Sequence, residues 1–324
     1  MTNNKTDLTV IIPVYNRTEY VNEAVESVLN LNKNKKIEIL IISNVDLKLD
    51  FDNKTIKVIK TTEYSLSRKL ELGIKNSSSS LIAFLEDDDL WCNDKLNKLL
   101  DAFKNNEEVD FYYNKNIQFR DKIISNTIDK NEKKPIIIKR ESLNNSTKAI
   151  RLMIKNNMGY NLSSMAIKRD LLLDHLNVLT SSSVYGVDSL VLVIALAYGR
   201  DMYLDNSIRT FIRIHRNNSY YYKVDPPDKL FTSLDIVNSE VKNKNIEKFI
   251  ELVRTATSLV LNCRTPKLKR YTLFKEVSKY IKYCFELGIL PSLYILGSAG
   301  SRMVSIKFYY YLLNMYHNNM HQNV

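Results

Sequence analysis

The amino-acid sequence predicts an α/β fold with a largely parallel sheet. Short runs rich in Ile, Val and Leu, which are typical of buried strands, occur at residues 8–13, 37–42, 55–59 and 81–85. Between them, residues 19–31 and 65–75 place apolar side chains at helical spacing. Strands that alternate with helices are typical of βαβ units, which build parallel sheets.

The second half of the chain predicts a more mixed arrangement. We expect a helix from Trp91 to about Phe103, shorter strands between residues 109 and 140, and further strands at 160–167, 202–204 and 207–214. The apolar run 190–197 ends at Gly199, which favours a buried helix. From Asp228 onward the pattern is helical, so we predict a catalytic domain at 1–224 and a basic, aromatic-rich helical region at 225–324.

The charge of the chain indicates an anionic partner. The formal net charge of the 324 residues is +11, and nine basic and two acidic residues between Arg264 and Lys307 give that segment a net charge of +7. Basic helices with aromatic faces are found on anionic membrane surfaces, and they also occur as appendages that pack on a catalytic domain. Both interpretations of the C-terminal region stay open.

Other classes of protein fit the sequence less well. The basic C-terminal region lacks a recognisable nucleic-acid-binding motif, so no nucleic acid is expected as a partner. The three cysteines are far apart and form no CxxC, which favours reduced thiols in a cytoplasmic protein. No signal peptide is expected from the short apolar run at residues 8–14.

An acidic cluster, Glu86-Asp87-Asp88-Asp89, directly follows the strand predicted at residues 81–85. Four adjacent carboxylates repel one another unless a cation lies among them. Ligands of parallel α/β sheets bind beyond the carboxyl ends of the strands, and carboxylate oxygens suit Mg²⁺ or Mn²⁺ shared with substrate phosphates. A solvated acidic loop that caps the following helix is the alternative.

Several motifs in order resemble family 2 glycosyltransferases, which have the GT-A fold. The opening run Val10-Ile11-Ile12-Pro13-Val14-Tyr15-Asn16-Arg17 resembles the start of the family, and the acidic cluster with its trailing Trp91 resembles the DxD element. Val187-Asp188 resembles the E-D element that precedes an apolar helix. Arg213 to Ser219 resembles the late R-x-H…N-x-S stretch. The resemblance covers roughly residues 8–220 and implies an α/β GT-A domain with a C-terminal helical appendage.

The resemblance also implies roles for individual residues. Asp88 would bind Mg²⁺ or Mn²⁺, and His215 would reach the metal or the diphosphate of a nucleotide-sugar donor. Asp188 would be the general base that deprotonates a hydroxyl of a glycan or lipid-linked acceptor, in one inverting step. The donor would also be contacted by Pro13, Tyr15, Arg17, Glu86 and Asp87.

Two positions depart from the family pattern. The second strand is followed by Ser43 and Asn44, where the family usually has an acidic pair, one Asp of which contacts the base. Ser43 and Asn44 can still bond a base, although with a different preference. Val187 replaces the usual Glu before Asp188. A non-catalytic sugar-nucleotide-binding or scaffold protein is therefore the alternative function, and Asp188 as a simple helix cap is the alternative role.

Overall fold

The computed structural model describes two units of the chain, over residues 6–32, 35–92, 94–120, 132–181, 186–215, 228–264 and 270–290. The first unit comprises residues 1–140 with 156–222, and the second comprises 141–155 with 223–324. The domain boundary expected near residue 224 stays a prediction. The short segment 141–155, which the sequence pattern did not distinguish, groups with the C-terminal helices.

The first unit begins with the predicted parallel strands. They are β1 (Leu8–Val14), β2 (Ile37–Ser43), β3 (Ile56–Lys60) and β4 (Leu81–Phe84), in the spatial order β3-β2-β1-β4. The connections include α1 (Val21–Leu29) and α2 (Leu66–Asn76). All seven residues of β1 are buried, as the unbroken apolar run predicts for a strand covered on both faces.

Helix α2 packs closely on β1 through Gly73. A Cβ atom at residue 73 would lie 2.7 Å from Cγ2 of Ile11, closer than packed carbon atoms approach. The helix, expected at residues 65–75, continues past Gly73 to Asn76. Gly73 therefore permits the close approach of helix and strand rather than ending the helix.

The rest of the sheet is mixed. It contains β5 (Leu90–Trp91), β6 (Val109–Phe119), β7 (Ile136–Ile138), β8 (Met165–Lys168) and β9 (Asp201–Arg213), with α3 (Lys95–Asn105) between β5 and β6. The order continues from β4 as β8-β6-β9-β5, and β7 pairs with β9. Strand β8 is antiparallel to both neighbours, so β6 and β9 run in the same direction as β1 and β4.

Three sequence predictions for this part were wrong in detail. Residues 109–119 form one long strand, and residues 201–213 form one strand instead of two, because β6 and β9 pair along almost their whole length with shifts in register. Residues 160–167 were expected to be a strand, but a 3₁₀ turn, Leu162–Ser164, precedes β8. The side chain of Ser163 in this turn bonds Glu86 and Asp89 of the acidic cluster, which explains the interruption.

Helices occupy the stretch between β7 and β9. They are α4 (Arg140–Asn145), α5 (Thr147–Lys155), α6 (Arg169–Asp174), α7 (Leu176–Thr180) and α8 (Val187–Tyr198). Helix α8 is the predicted buried helix: nine of its residues are buried, among them the whole run 190–197. It ends at Gly199, as predicted.

The second unit is helical, as the sequence predicts. It contains α9 (Asp228–Glu240), α10 (Lys244–Arg264) and α11 (Arg270–Leu287), and both α10 and α11 pack on each other and on α5. Tyr280, Cys284 and Leu287 of α11 are buried, whereas Phe274 and Phe285 are exposed. Within the described ranges, no helix is both long and apolar enough to span a membrane. Part of the basic segment 264–307 lies outside those ranges.

Candidate functional site

The sheet brings the predicted site residues to one edge. Strands β1 and β4 are neighbours, although the chain visits β2 and β3 on the other side of β1 before it returns to form β4. Such a switch point leaves a crevice beyond the carboxyl ends of the strands, where ligands of α/β folds bind. The loop after β1 carries Tyr15 and Arg17, and the loop after β4 carries the acidic cluster. The amino end of β8 and the carboxyl end of β9 meet the same edge.

Arg17 joins the two loops by contacting two carboxylates at once. Its Nη2 lies 2.7 Å from Oδ1 of Asp87 and also bonds Oδ2 of Asp88. The backbone N–H of Tyr15 donates to Oδ2 of Asp87 at 3.3 Å. Burial, followed by repulsion from Asp88, raises the pKa of Asp87 to about 6, while the bonds from Arg17 and Tyr15 oppose the rise. The guanidinium is thus the cation that this acidic cluster requires.

His215 completes this group from the end of β9. Its Nε2 lies 2.9 Å from Oδ2 of Asp88 and 3.1 Å from Nη1 of Arg17, and its ring lies 5.1 Å from that of Tyr20. Arg213, two residues earlier, donates from Nε to the backbone oxygen of Asp88 at 3.0 Å. The late R-x-H element therefore packs against the acidic cluster, whereas the remainder of that motif, residues 216–219, lies outside the described residues.

The side chains around Asp88 determine whether a divalent metal can bind in this crevice. Among the residues that the structure describes, no group of three or more His, Cys, Asp or Glu side chains is arranged to hold a metal ion. Asp88 and His215 offer two donor atoms side by side, and Arg17 contacts both. Mg²⁺ is usually held by one or two carboxylates together with substrate phosphates. Asp88 and His215 could therefore hold a metal that is shared with a diphosphate, but the described residues do not form a site built from protein ligands alone.

Glu86 and Asp89 face the protein side of the cluster. The side-chain amide of Asn161 donates to Oε2 of Glu86 at 2.6 Å and to Oδ2 of Asp89 at 2.7 Å, and Ser163 donates to the same Asp89 oxygen at 2.6 Å. The backbone N–H of Arg213 donates to the other Asp89 oxygen. Burial and the neighbouring Asp88 raise the pKa of Asp89 to about 7. Asp89 is 1% exposed, so it stabilises the loop after β4 through these hydrogen bonds and does not face solvent.

Asp188 lies in the first turn of α8, after Gly186 in the left-handed conformation at φ 75°. Its Oδ2 accepts the backbone N–H of Asn161 at 3.1 Å, and Oδ1 accepts that of Ser189 at 2.8 Å. Burial raises the pKa of Asp188, and the backbone hydrogen bonds oppose the rise. The bond to Ser189 occupies one of the free N–H groups in the first turn of α8, as a helix cap would, although the N-cap residue itself is Gly186. The bond to Asn161 links the same carboxylate to the residue whose side chain bonds the acidic cluster.

The other predicted donor contacts lie at or just beyond the carboxyl ends of β1 and β2. Pro13 is buried in β1 opposite Ile42, whereas the Tyr15 ring is 47% exposed and lies 6.2 Å from the exposed ring of Tyr64. Ser43 is buried, and its hydroxyl donates to the backbone oxygen of Val45 at 2.7 Å, so its proton is already engaged within the chain. Asn44 is half-buried at the edge of the sheet.

Sequence reasoning missed three residues that organise the site: Asn161, Ser163 and Lys69. Asn161 adopts the left-handed region at φ 69°, and neither it nor Ser163 has a sequence signal beyond a polar stretch before a strand. Lys69 did have a signal. It lies on the buried face of α2 beside Leu70 and Gly73, where a lysine is out of place unless its ammonium has partners.

Comparison with known proteins connects this geometry to a family. The family model described as glycosyl transferase family 2 matches residues 9–175. An uncharacterized glycosyltransferase of Rickettsia conorii is 38% identical over 113 residues, which cover 33% of this chain and 18% of the relative. The minor teichoic acid biosynthesis protein GgaA of Bacillus subtilis is 31% identical over 113 residues, 31% of this chain and 25% of that protein. The chain therefore spans about a quarter or less of the length of these relatives.

Solved structures agree on the fold. Residues 1–349 of S. aureus TarS in complex with UDP-GlcNAc superpose with a TM-score of 0.54 at 12% identity, covering 96% of this chain and 92% of that one. The complex of the same protein with UDP gives 0.55 at 11% identity, with 96% and 91% covered. At this identity the likeness speaks for the fold alone, and it confirms the predicted GT-A architecture. Since the family model also covers just over half of the 324 residues, the chain belongs to glycosyl transferase family 2.

Proposed function

We propose that this chain transfers a sugar from a nucleotide diphosphate sugar to an acceptor hydroxyl, with inversion at the anomeric carbon. One observation carries the proposal. A cation-paired carboxylate group, formed by Arg17, Asp87 and Asp88, lies at the switch point of the sheet. A separate carboxylate, Asp188, is linked through Asn161 to Glu86 and Asp89, the neighbours of that pair in the acidic cluster. The first group suits an anionic leaving group, and the second suits a general base.

On the donor side, the task of the protein is to stabilise the departing nucleoside diphosphate. Arg17 and His215 lie where donor phosphates would approach Asp88, and a guanidinium matches two phosphate oxygens at once. A divalent metal held by Asp88 and His215 would supply further positive charge to the leaving diphosphate. Tyr15 and Tyr64 offer exposed rings near the end of β1, which suit contact with the nucleoside.

On the acceptor side, Asp188 would take the proton of the attacking hydroxyl. The oxygen of that hydroxyl forms a bond to the anomeric carbon as the bond to the diphosphate breaks, and the proton passes to the carboxylate. A general base contributes about 10²–10⁴-fold to such a step. Asn161 holds Oδ2 of Asp188 by its backbone and holds the acidic cluster by its side chain, so it fixes the separation between base and donor.

We propose a glycan or lipid-linked acceptor that carries negative charge. The net charge of +11 supports this class, and so does the similarity to a protein named for minor teichoic acid biosynthesis. The exposed rings of Phe274 and Phe285 are three turns apart on one face of α11, beside Lys275, Lys279 and Lys282. This arrangement supports peripheral docking on an anionic membrane at its cytoplasmic face.

A thermal-shift panel tests the donor. The full chain is heated with UDP-, GDP- and ADP-sugars, each with Mn²⁺, Mg²⁺ or EDTA. A ligand at about 100 times its Kd should stabilise the fold by about 2.7 kcal/mol. We expect one nucleotide class to raise Tm, and more so with metal than with EDTA. If no nucleotide sugar shifts Tm under any of these conditions, the proposed function is wrong.

A further inference from the structure

The buried side chain of Lys69 has no part in the proposed chemistry, yet it lies under the nucleoside end of the site. Lys69 is 1% exposed. Its ammonium donates to Oδ1 of Asn44 at 2.6 Å and to the backbone oxygen of Val14, and it lies 5.0 Å from the centre of the Tyr15 ring. All three partners lie at the carboxyl ends of β1 and β2. The lysine therefore touches the residues that would meet a nucleoside.

Lys69 fixes which way the Asn44 amide faces. An ammonium group only donates hydrogen bonds, so the atom of Asn44 that faces it must be the carbonyl oxygen. The amide nitrogen then points away from Lys69, and it donates to Oδ1 of Asn16 at 2.8 Å. An amide nitrogen carries two hydrogens, and this bond uses one of them. Asn44 consequently presents an N–H donor at the edge of the sheet.

The same position with a carboxylate would have the opposite character. A carboxylate only accepts hydrogen bonds, so it would favour an N–H or amino group on the base. An amide whose oxygen is held by a buried lysine favours a carbonyl instead. Without Lys69 the amide could turn over, since its two ends have nearly the same shape. Burial lowers the pKa of Lys69 to about 8 and nearby Asp87 opposes this, so the ammonium persists at neutral pH.

We infer that Lys69 and Asn44 select a donor nucleotide whose base presents a carbonyl oxygen rather than an amino group at this edge. Uracil has such an oxygen at the position where cytosine has an amino group, and hypoxanthine has one where adenine has an amino group. This inference rests on the proposed function, because it needs a nucleotide in the crevice. To that function the inference adds a preference for one kind of base, and it assigns Lys69 as the residue that positions Asn44.

Calorimetric titration with two matched nucleotide pairs tests the inference. UDP is compared with CDP, and IDP with ADP, each in the presence of Mn²⁺. One satisfied hydrogen bond in place of a mismatched pair is worth about 1–3 kcal/mol, so in one of the two pairs the carbonyl base should bind roughly tenfold tighter or more. Equal affinity within both pairs, or a preference for the amino bases, would overturn the inference while leaving the proposed function standing. Absence of binding by all four nucleotides would overturn the inference, and the proposed function would fall with it only if the thermal-shift panel also showed no stabilisation.

The Lys69→Met variant assigns the preference to the lysine. Methionine fills a similar volume but cannot hold the amide oxygen, so the carbonyl-to-amino affinity ratio should fall towards one, mainly through weaker binding of the carbonyl base. Lys75→Met, on the exposed side of the same helix, is the matched control and should keep the wild-type ratio. An unchanged ratio in a folded Lys69→Met protein would contradict the inference.

Asn44→Asp keeps the test decisive should Lys69→Met fail to fold. The new carboxylate remains paired with Lys69, and it replaces the N–H donor by an acceptor. The preference should shift towards the amino base of the same pair, by roughly tenfold relative to the wild type. Retention of the wild-type preference in this variant would show that residue 44 does not determine which base binds.

Discussion

The two groups of carboxylates at the sheet edge are held in different ways. Asp87 and Asp88 share a guanidinium, and Asp88 also faces an imidazole, so side chains that carry or can carry positive charge neutralise this pair. Asp188 is held by two backbone N–H groups, from Asn161 and Ser189. Burial raises the pKa of both Asp87 and Asp188, but only Asp87 has a formal cation among the main opposing causes.

This difference separates two kinds of chemistry. A carboxylate with a cationic partner is suited to exchange that partner for another cation, which a donor diphosphate and its metal would require. A carboxylate held by neutral donors in a poorly solvated place keeps its basicity, since nothing positive lowers its proton affinity. Under the proposed function, the first arrangement would serve donor binding and the second would serve proton transfer. Mutations should therefore disturb the two groups separately.

The largest expected effect is on turnover in Asp188→Asn. This change keeps the size of the side chain and its capping ability but removes its basicity. The transfer rate at saturating donor should drop by roughly two to four orders of magnitude, while donor affinity stays near the wild-type value. Asp174→Asn, the same change at an exposed position, should leave the rate unchanged. Near-normal turnover in Asp188→Asn would make Asp188 a helix cap and nothing more.

A smaller effect, in opposite directions for two ligands, is expected from Arg17→Met. Loss of the guanidinium should weaken the binding of a nucleoside diphosphate in EDTA by roughly tenfold, since hydrogen bonds to charged groups contribute about 1.5–3 kcal/mol. It should strengthen the binding of Mn²⁺ alone, because Asp87 and Asp88 lose their internal cation. Calorimetric titrations of each ligand provide the test. Weaker Mn²⁺ binding in the variant would show that Arg17 supports the metal rather than standing in its place.

The smallest expected effect is a displacement of the pH profile. Burial raises the pKa of Asp188, and a base must be unprotonated to accept a proton. The transfer rate should therefore fall on the acid side at a pH above the ordinary aspartate range, which centres near 4. The profile is measured at saturating donor. An acid limb at or below the ordinary range would mean that Asp188 is well solvated in the working enzyme, contrary to the structure.

The sequence located the acidic cluster more directly than Arg17 or Asp188. Asp87 and Asp88 follow a strand that the apolar pattern identifies clearly, and the topology of a parallel sheet brings strand ends together. Arg17 and Asp188 were identified through resemblance, and the roles of all four residues stay predictions. The link through Asn161 depends on a left-handed backbone and a 3₁₀ turn, which no periodic pattern encodes. The lengths of β6 and β9 were also missed, since their polar residues interrupt the alternation that sequence reasoning relies on.

Lys69 has a recognisable sequence signal, because it lies on the apolar face of α2. Its neighbours on the buried face of α2 are Ser67, Leu70, Gly73 and Ile74, so a lysine at that spacing predicts a buried ammonium with oxygen partners nearby. The identity of those partners, Val14 and Asn44, depends on how α2 lies against β1 and β2. The sequence alone does not predict that placement.

The most direct test of the account is the Mn²⁺-dependent affinity for the preferred nucleoside diphosphate in Asp88→Asn, measured by calorimetry beside the wild type. Asp46→Asn, the same change at an exposed residue paired with Lys60, is the control. The account predicts that Mn²⁺ strengthens nucleotide binding in the wild type and in Asp46→Asn, and that this gain is lost in a folded Asp88→Asn protein. Equal Mn²⁺-dependent binding in all three proteins would contradict the assignment of the donor site to the acidic cluster.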